Sequence, residues 1–163
     1  MPVPLRSIAA TMVRSLWSSP SKVSRMPHRV RLAYLDSNLH MNYASYLEVM
    51  ELGRWDWGMR NRVLRQWLRD RLAPVVIHVD IRYRRELRAL QRFVVDTRLV
   101  SLQRRTGIFQ QHLLVGDWVH AKADIRFTLL REGKMIDATS LDRSVGAFLT
   151  EPLATSGSRV VGG

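Results

Sequence analysis

The feature that most constrains this chain is an imbalance: a long series of strand-like segments is served by one long apolar-striped helix. After Pro74, Val75, Ile77, Val79, Ile81 and Tyr83 alternate with Val76, His78, Asp80, Arg82 and Arg84, the period of a strand. Residues 92–102 and 107–115 read as two more strands, and Gly116-Asp117 has the residue types of a hairpin turn. The next strand sets Val119, Ala121, Ala123, Ile125, Phe127 and Leu129 on one face, and Gly133-Lys134 predicts a turn before a short strand near Met135 and Ile136. Upstream, Tyr43, Tyr46, Leu47, Met50, Arg54 and Trp57 fall along one helical stripe. Glu48 and Glu51 lie off that stripe, with Glu51 in reach of Arg54 or Trp55. Strands with one apolar face need a cover, so a curved antiparallel sheet wrapped around this helix, an α+β arrangement, is the economical solution. Gly53 inside the helix would ease a close approach to the sheet.

The rest of the chain divides around that core. The run "RVRLAYLD" from Arg29, with Val30, Leu32 and Tyr34 alternating, predicts a strand leading into the helix. "NRVLRQWLRDR" predicts a second, shorter helix with Val63, Leu64, Trp67 and Leu68 inward. Residues 1–28 form a basic segment without an acidic residue, the first in the chain being Asp36. Within it Leu5, Ile8, Met12, Val13, Leu16 and Trp17 recur at helical spacing. That pattern suits either a peripheral membrane contact through residues 1–17 or a helix packed on its own domain. Ser18 to Ser21 read as a linker. The expected partition is therefore a basic segment 1–28, a globular domain 29–149, and a flexible Gly/Ser-containing tail 150–163.

Composition narrows the chemistry. At 163 residues the chain suits one domain. With no cysteine, disulfides, thiol nucleophiles and cysteine-based zinc sites are excluded, and a reducing, cytoplasmic setting fits. No apolar run is long enough to span a bilayer. The net charge of +12 comes almost wholly from arginine, the only lysines being Lys22, Lys122 and Lys134. Such a surface favours anionic partners, among them a phosphate-bearing nucleotide.

The stretch "YLDSNLHMNYASYLE", residues 34–48, concentrates the candidate chemistry. Asn42 is a good helix N-cap. The helix start it caps offers unpaired amide hydrogens, such as those of Tyr43 or Ala44, to an oxyanion forming on a thioester or ester carbonyl. Asp36, just before that start, has the chemistry of a general base or a nucleophile, and His40 that of a group fixing the turn or hydrogen-bonding Asp36. On spacing alone, Asp36 as the start of a turn and His40 as a satisfied turn histidine remain equally open.

The chain resembles the hotdog-fold acyl-CoA thioesterases, whose helix entry reads D-x-x-x-H-x-N-x-x-x-Y-L and is matched here by Asp36, His40, Asn42, Tyr46 and Leu47. Leu39-His40-Met41-Asn42 and "MELGR" (Met50 to Arg54) are similar to the subgroup around thioesterase superfamily member six, with the bacterial long-chain acyl-CoA thioesterases next. The similarity continues through "PVVIHVDIRYRREL" and "QRFVVDTRLVSL", covering roughly Arg29 to Met135. It implies a hotdog fold and hydrolysis of a medium- or long-chain acyl-CoA, with no cofactor or metal. It also implies Asp36 as catalytic carboxylate, the Tyr43 backbone N–H as oxyanion donor, and a homodimer or dimer of dimers. Tyr43, Ser45 and Tyr34 depart from the family, which more often has asparagine, a basic residue and an acidic residue there. Arg82, Arg84, Arg85 and Arg88 are the candidates for the CoA phosphates. "DSNLH" is also similar to the D-x-N-P-x-H motif of MaoC-like enoyl-CoA hydratases, without its proline and one residue shorter. A non-catalytic acyl-CoA or lipid-binding protein is the other alternative. Nucleic acid is not an expected partner, because the arginines are dispersed and no stacking platform joins them. No G-x-S-x-G, P-loop or H-E-x-x-H occurs, and His112 and His120 read as ordinary strand residues.

Overall fold

The computed structural model describes residues 5–16, 18–137 and 145–151. In chain order these form α1 (Leu5–Leu16), β1 (Val23–Arg29), a 3-10 turn (Leu32–Tyr34), α2 (Tyr43–Arg60), α3 (Val63–Arg69), β2 (Leu72–Tyr83), β3 (Arg92–Gln103), β4 (Thr106–Val115), β5 (Trp118–Arg131) and β6 (Lys134–Met135). A last 3-10 turn spans Gly146–Phe148. The strands make one antiparallel sheet in the order β1-β3-β4-β5-β2, with β6 on β5. Register shifts at Val76/His78, Leu99/Ser101 and Leu113/Leu114 add the local twist that lets the sheet curl. This is the hotdog fold, a curled sheet with α2 packed against it.

The helix lies so close because of one residue. A Cβ at Gly53 would stand 2.6 Å from Thr97 Oγ1, 2.8 Å from Val95 Cγ1 and 3.0 Å from Gln111 Nε2. Gln111, fully buried on β4, binds the helix there: its Nε2 donates to the Met50 carbonyl and to Thr97 Oγ1, each at 2.8 Å. Around this contact Val49, Met50, Leu52 and Trp57 of α2 meet Val95, Leu99, Leu113 and Ile125 of the sheet. Burying each such side chain contributes about 1.5–3 kcal/mol. All six residues predicted to share a face of β5, from Val119 to Leu129, are buried.

Three expectations are corrected. The strand expected from Arg29 lies earlier, at Val23–Arg29, and Leu32–Tyr34 is a 3-10 turn. β1 is an edge strand paired only with β3, so it tolerates Pro27, and its serine and proline disguise it in the sequence. The sheet therefore begins upstream of residue 29. The alternation in β2 does not mark one buried face: Val75, Val76, Ile77, Val79 and Tyr83 are all exposed, because this strand forms the opposite edge of the sheet. The second turn is Glu132-Gly133, both at positive φ, and Lys134 already belongs to β6.

Within the basic segment Leu5–Leu16 is helical, as its spacing predicts, and this α1 lies against α2. Ser7, Thr11 and Ser15 are buried there; of the apolar stripe, the side chains of Leu5, Met12, Leu16 and Trp17 lie outside the described residues. The dock centres on Asp56 of α2, which is fully buried. It accepts from Ser15 Oγ at 2.6 Å and from Ser24 Oγ of β1, and pairs with Arg14 and Arg60, each at 3.2 Å. Burial pushes this carboxyl upward, but the two hydroxyls and two guanidinium groups outweigh it and leave it below the usual carboxylate range. The Ser18–Ser21 linker is tied down as well, since the Asn61 amide exchanges two 2.9 Å bonds with the Ser21 backbone. At the other end Thr150 donates to the Leu99 carbonyl at 3.0 Å; the tail from 152 lies outside the described residues.

Candidate active site

The stretch from Tyr34 to Tyr46 folds into a short hairpin-like turn that delivers the chain into α2. Asp36 N donates to the His40 carbonyl at 2.8 Å and Leu39 N to the Asp36 carbonyl at 3.1 Å, with Leu39 at φ 60°. The Asp36 side chain closes the same turn. Its Oδ1 accepts from the amides of Asn38 (2.8 Å) and His40 (3.1 Å), so the turn-forming role is real. Among the described residues Oδ2 takes no hydrogen bond, and Asp36 is exposed. One oxygen is anchored and the other is left over.

Asn42 caps α2 in the expected manner. Its Oδ1 accepts from Ser45 N at 3.0 Å, while its Nδ2 donates to the Tyr34 carbonyl at 3.0 Å and fixes the helix entry. The cap thus engages the third amide of the helix, and the first two, those of Tyr43 and Ala44, have no intrahelical acceptor by helix geometry. Tyr43 is 72% exposed, and its ring leans on Tyr83 at 4.9 Å between centroids. Ser45 is buried under the cap. Tyr34 is buried with its hydroxyl 3.4 Å from Glu48 Oε1 and 3.4 Å from His28 Nε2, so two of the three departures are side chains packed inside the fold.

A cleft of about 340 Å³ collects Asp36, His40, Tyr43, Tyr46, Arg84 and Arg85 among its walls. Of the four arginines singled out in sequence, two reach it. The amides of Arg84 and Arg85 both donate to the His120 carbonyl, at 2.9 and 3.1 Å, and His120 Nδ1 lies 3.0 Å from the Glu86 carbonyl. This backbone clasp sets both arginines at the rim, with the Arg85 guanidinium stacked 4.1 Å over the Trp118 ring. Arg82 sits elsewhere, with Asp80, Lys122 and Asp124. Arg88 is outside the cleft walls too; its backbone bridges that of His40 and its amide donates to Gln91 Oε1 at 2.9 Å. Arg82 still belongs to β2, whereas Arg84 and Arg85 follow its end and are placed by their backbone bonds to His120, which is why a cluster in sequence becomes a pair in space.

His40 does not bond Asp36 through its ring. Its Nε2 pairs with Glu86 Oε2 at 3.1 Å, a partner that nothing in the local sequence pointed to. Tyr83 and Trp118 were also missed as neighbours of the site, because each is brought there by strand pairing. The Tyr46 hydroxyl accepts from Leu87 N at 3.3 Å, and burial raises its pKa, keeping it neutral. His112, read as an ordinary strand residue, is buried with no partner for Nε2. Burial, reinforced by Lys122 and Arg98 against Asp96 and Asp124, lowers it to about 4. No group of three or more metal-ligating side chains occurs among the described residues.

The family profile described as the thioesterase-like superfamily matches residues 30–148. The chain belongs to that superfamily. Over 103 residues it is 32% identical to the long-chain acyl-CoA thioesterase FadM of Escherichia coli (strain K12), covering 63% of this chain and 77% of that one. Among solved structures it resembles the YbaW probable thioesterase from Escherichia coli, with a TM-score of 0.72 and 25% identity over 77% of this chain and 98% of the other. The probable thioesterase from Bartonella henselae aligns with a TM-score of 0.62 and 27% identity, over 71% and 98%. The hotdog fold and the class of thioester hydrolase follow from this membership, as the helix-entry motif implied. No described helix is long and apolar enough to cross a membrane.

Proposed function

We propose that the protein hydrolyses acyl-CoA thioesters in the cleft between the α2 N-terminus and the Arg84-Arg85 rim. The observation that carries this reading is the split use of the Asp36 carboxylate: Oδ1 is held by two backbone amides, and Oδ2 is left free at the mouth of a helix whose first two amides are also free. A thioester carbonyl placed over the Tyr43 and Ala44 amides has its developing negative charge stabilised, each such donor contributing about 3 kcal/mol in the transition state. Asp36 then either takes a proton from the attacking water or attacks the carbonyl itself to give an anhydride that water opens. In both routes the C–S bond breaks and the acid and the CoA thiol leave. Arg84 and Arg85 face the anionic nucleotide, and FadM, whose name specifies long-chain acyl-CoA, supports a long acyl group as substrate.

The reading includes a homodimer. β2 presents an open edge of twelve residues, Leu72–Tyr83, with exposed apolar side chains at Val75, Ile77 and Val79. An uncovered edge of this length invites another strand, and a second copy supplies one by antiparallel pairing. A hydratase reading in the MaoC manner finds less support, because the His40 ring is committed to Glu86 and not turned with Asp36 onto a common atom.

Thiol release from a panel of acyl-CoAs, measured for wild type beside Asp36→Asn, tests the assignment. The asparagine keeps the Oδ1 acceptor that holds the turn and removes only the charge. Turnover is expected to fall by about 10²–10⁴-fold. Binding without turnover in the wild type would leave a non-catalytic acyl-CoA binder, and hydration of an enoyl-CoA without thiol release would favour the hydratase.

A further inference from the structure

A second cavity, of about 210 Å³, lies between α2, α3 and β2 and shares no wall residue with the Asp36 cleft. At 1.5 Å rise per residue, Tyr43 at the cleft and Arg54 at this cavity stand roughly 16 Å apart along α2. The walls are chiefly aromatic: Trp55, Trp57, Trp67, Phe109 and Phe127. Among them sits one guanidinium. Arg54 Nη1 donates to the neutral Oε1 of Gln111 at 2.8 Å, and among the described residues no carboxylate lies within 4.0 Å of it. Glu51, the other ionisable wall residue, accepts from Trp55 Nε1 at 3.5 Å and acts on Arg54 only at longer range.

Burial lowers the Arg54 pKa to about 10, against the opposing influence of Glu51, so the half-buried group stays charged at neutral pH with part of its hydration lost. A desolvated cation without an ion pair carries a free-energy cost that a bound anion relieves. The Trp67 indole N–H is also buried without an acceptor. Apolar walls around an unpaired cation complement a ligand with an apolar body and an anionic oxygen head.

We propose that this cavity binds an apolar carboxylic acid, with its carboxylate on Arg54 and its body against the tryptophans. Under the thioesterase reading, the acid released by hydrolysis has this chemistry, which makes the cavity a site where product accumulates away from the reacting carbonyl. The binding itself does not rest on that reading.

Titration of wild type with decanoate, decanamide and decanol, followed by the fluorescence of the wall tryptophans, tests the site. Decanoate is expected to bind at least tenfold tighter than either neutral analogue. Arg54→Gln should erase that preference while keeping decanol affinity, which shows that the cavity survives the loss of the Gln111 contact, and Arg54→Lys should retain it. Leu64→Trp, which fills the cavity from α3, should weaken all three ligands at least tenfold. Equal affinities in wild type, a preference that outlives Arg54→Gln, indifference to Leu64→Trp, or no fluorescence response would each overturn the proposal. A wild type that binds decanoate but releases no thiol would sink the thioesterase reading alone.

Discussion

Replacing Gly53 by alanine separates two opposite effects of a methyl group in the same helix. Helix propensity alone favours alanine by about 1 kcal/mol. At Gly53, however, the new Cβ would sit 2.6 Å from Thr97 Oγ1 and 2.8 Å from Val95 Cγ1, closer than unstrained atoms stand. Overpacking of this kind costs about 1–3 kcal/mol. Relief requires moving the Gln111 amide, also 3.0 Å away, which endangers its bonds to Met50 and Thr97 at about 1 kcal/mol each. The sum is a net loss of about 1–3 kcal/mol, and for a chain of this size about 2–4 °C of melting temperature per kcal/mol. Gly58 supplies the control: its added Cβ would meet only Leu64 Cβ at 3.5 Å, ordinary contact, so Gly58→Ala should be neutral or stabilising by up to about 1 kcal/mol. Thermal and urea unfolding of the two variants beside wild type measure the difference. If Gly53→Ala melts at or above wild type, or if the two variants shift together, the close helix–sheet approach is not what this glycine serves.

Other expectations follow from the same contacts. Asp36→Ala should lower stability as well as turnover, because it removes the acceptor of the Asn38 and His40 amides, whereas Asp36→Asn should melt within about 1 kcal/mol of wild type; equal melting of the two would deny Oδ1 its structural role. His112 has a folded pKa near 4 against 6.5 unfolded, so the unfolded state binds the extra proton between these values and stability drains away as pH falls from 6.5 to 4. Over 2.5 units the effect is on the order of 3 kcal/mol, and the pH profile of His112→Gln in that window should be flatter. Val79→Lys, on the open edge of β2, should shift sedimentation towards the monomer with little change in fold by circular dichroism; an unchanged oligomer would place the interface elsewhere.

How much of this was legible beforehand depended on whether a residue's role is local. Asn42 was readable as a cap because its acceptor and the Ser45 amide lie within one turn. The buried face of β5 was readable because a single strand displays its own period. Gly53 was readable in outline, since a glycine in mid-helix calls for a reason and close packing is a common one. Failures came where the role is set by partners distant in the chain. β2 and β5 both show apolar residues at alternate positions, yet β5 is buried between two strands while most of β2 is exposed at the edge, because sheet order decides which strand lies inside and order is not written in periodicity. The arginines divide for a related reason: Arg84 and Arg85 are held at the cleft by the His120 carbonyl, while Arg82, still on β2, lies with Asp80, Lys122 and Asp124. His40 shows the limit most clearly, since its spacing to Asp36 invited a pairing and the folded chain gave its ring to Glu86. The local residues thus named the kind of site, and the sheet pairing determined which charges attend it.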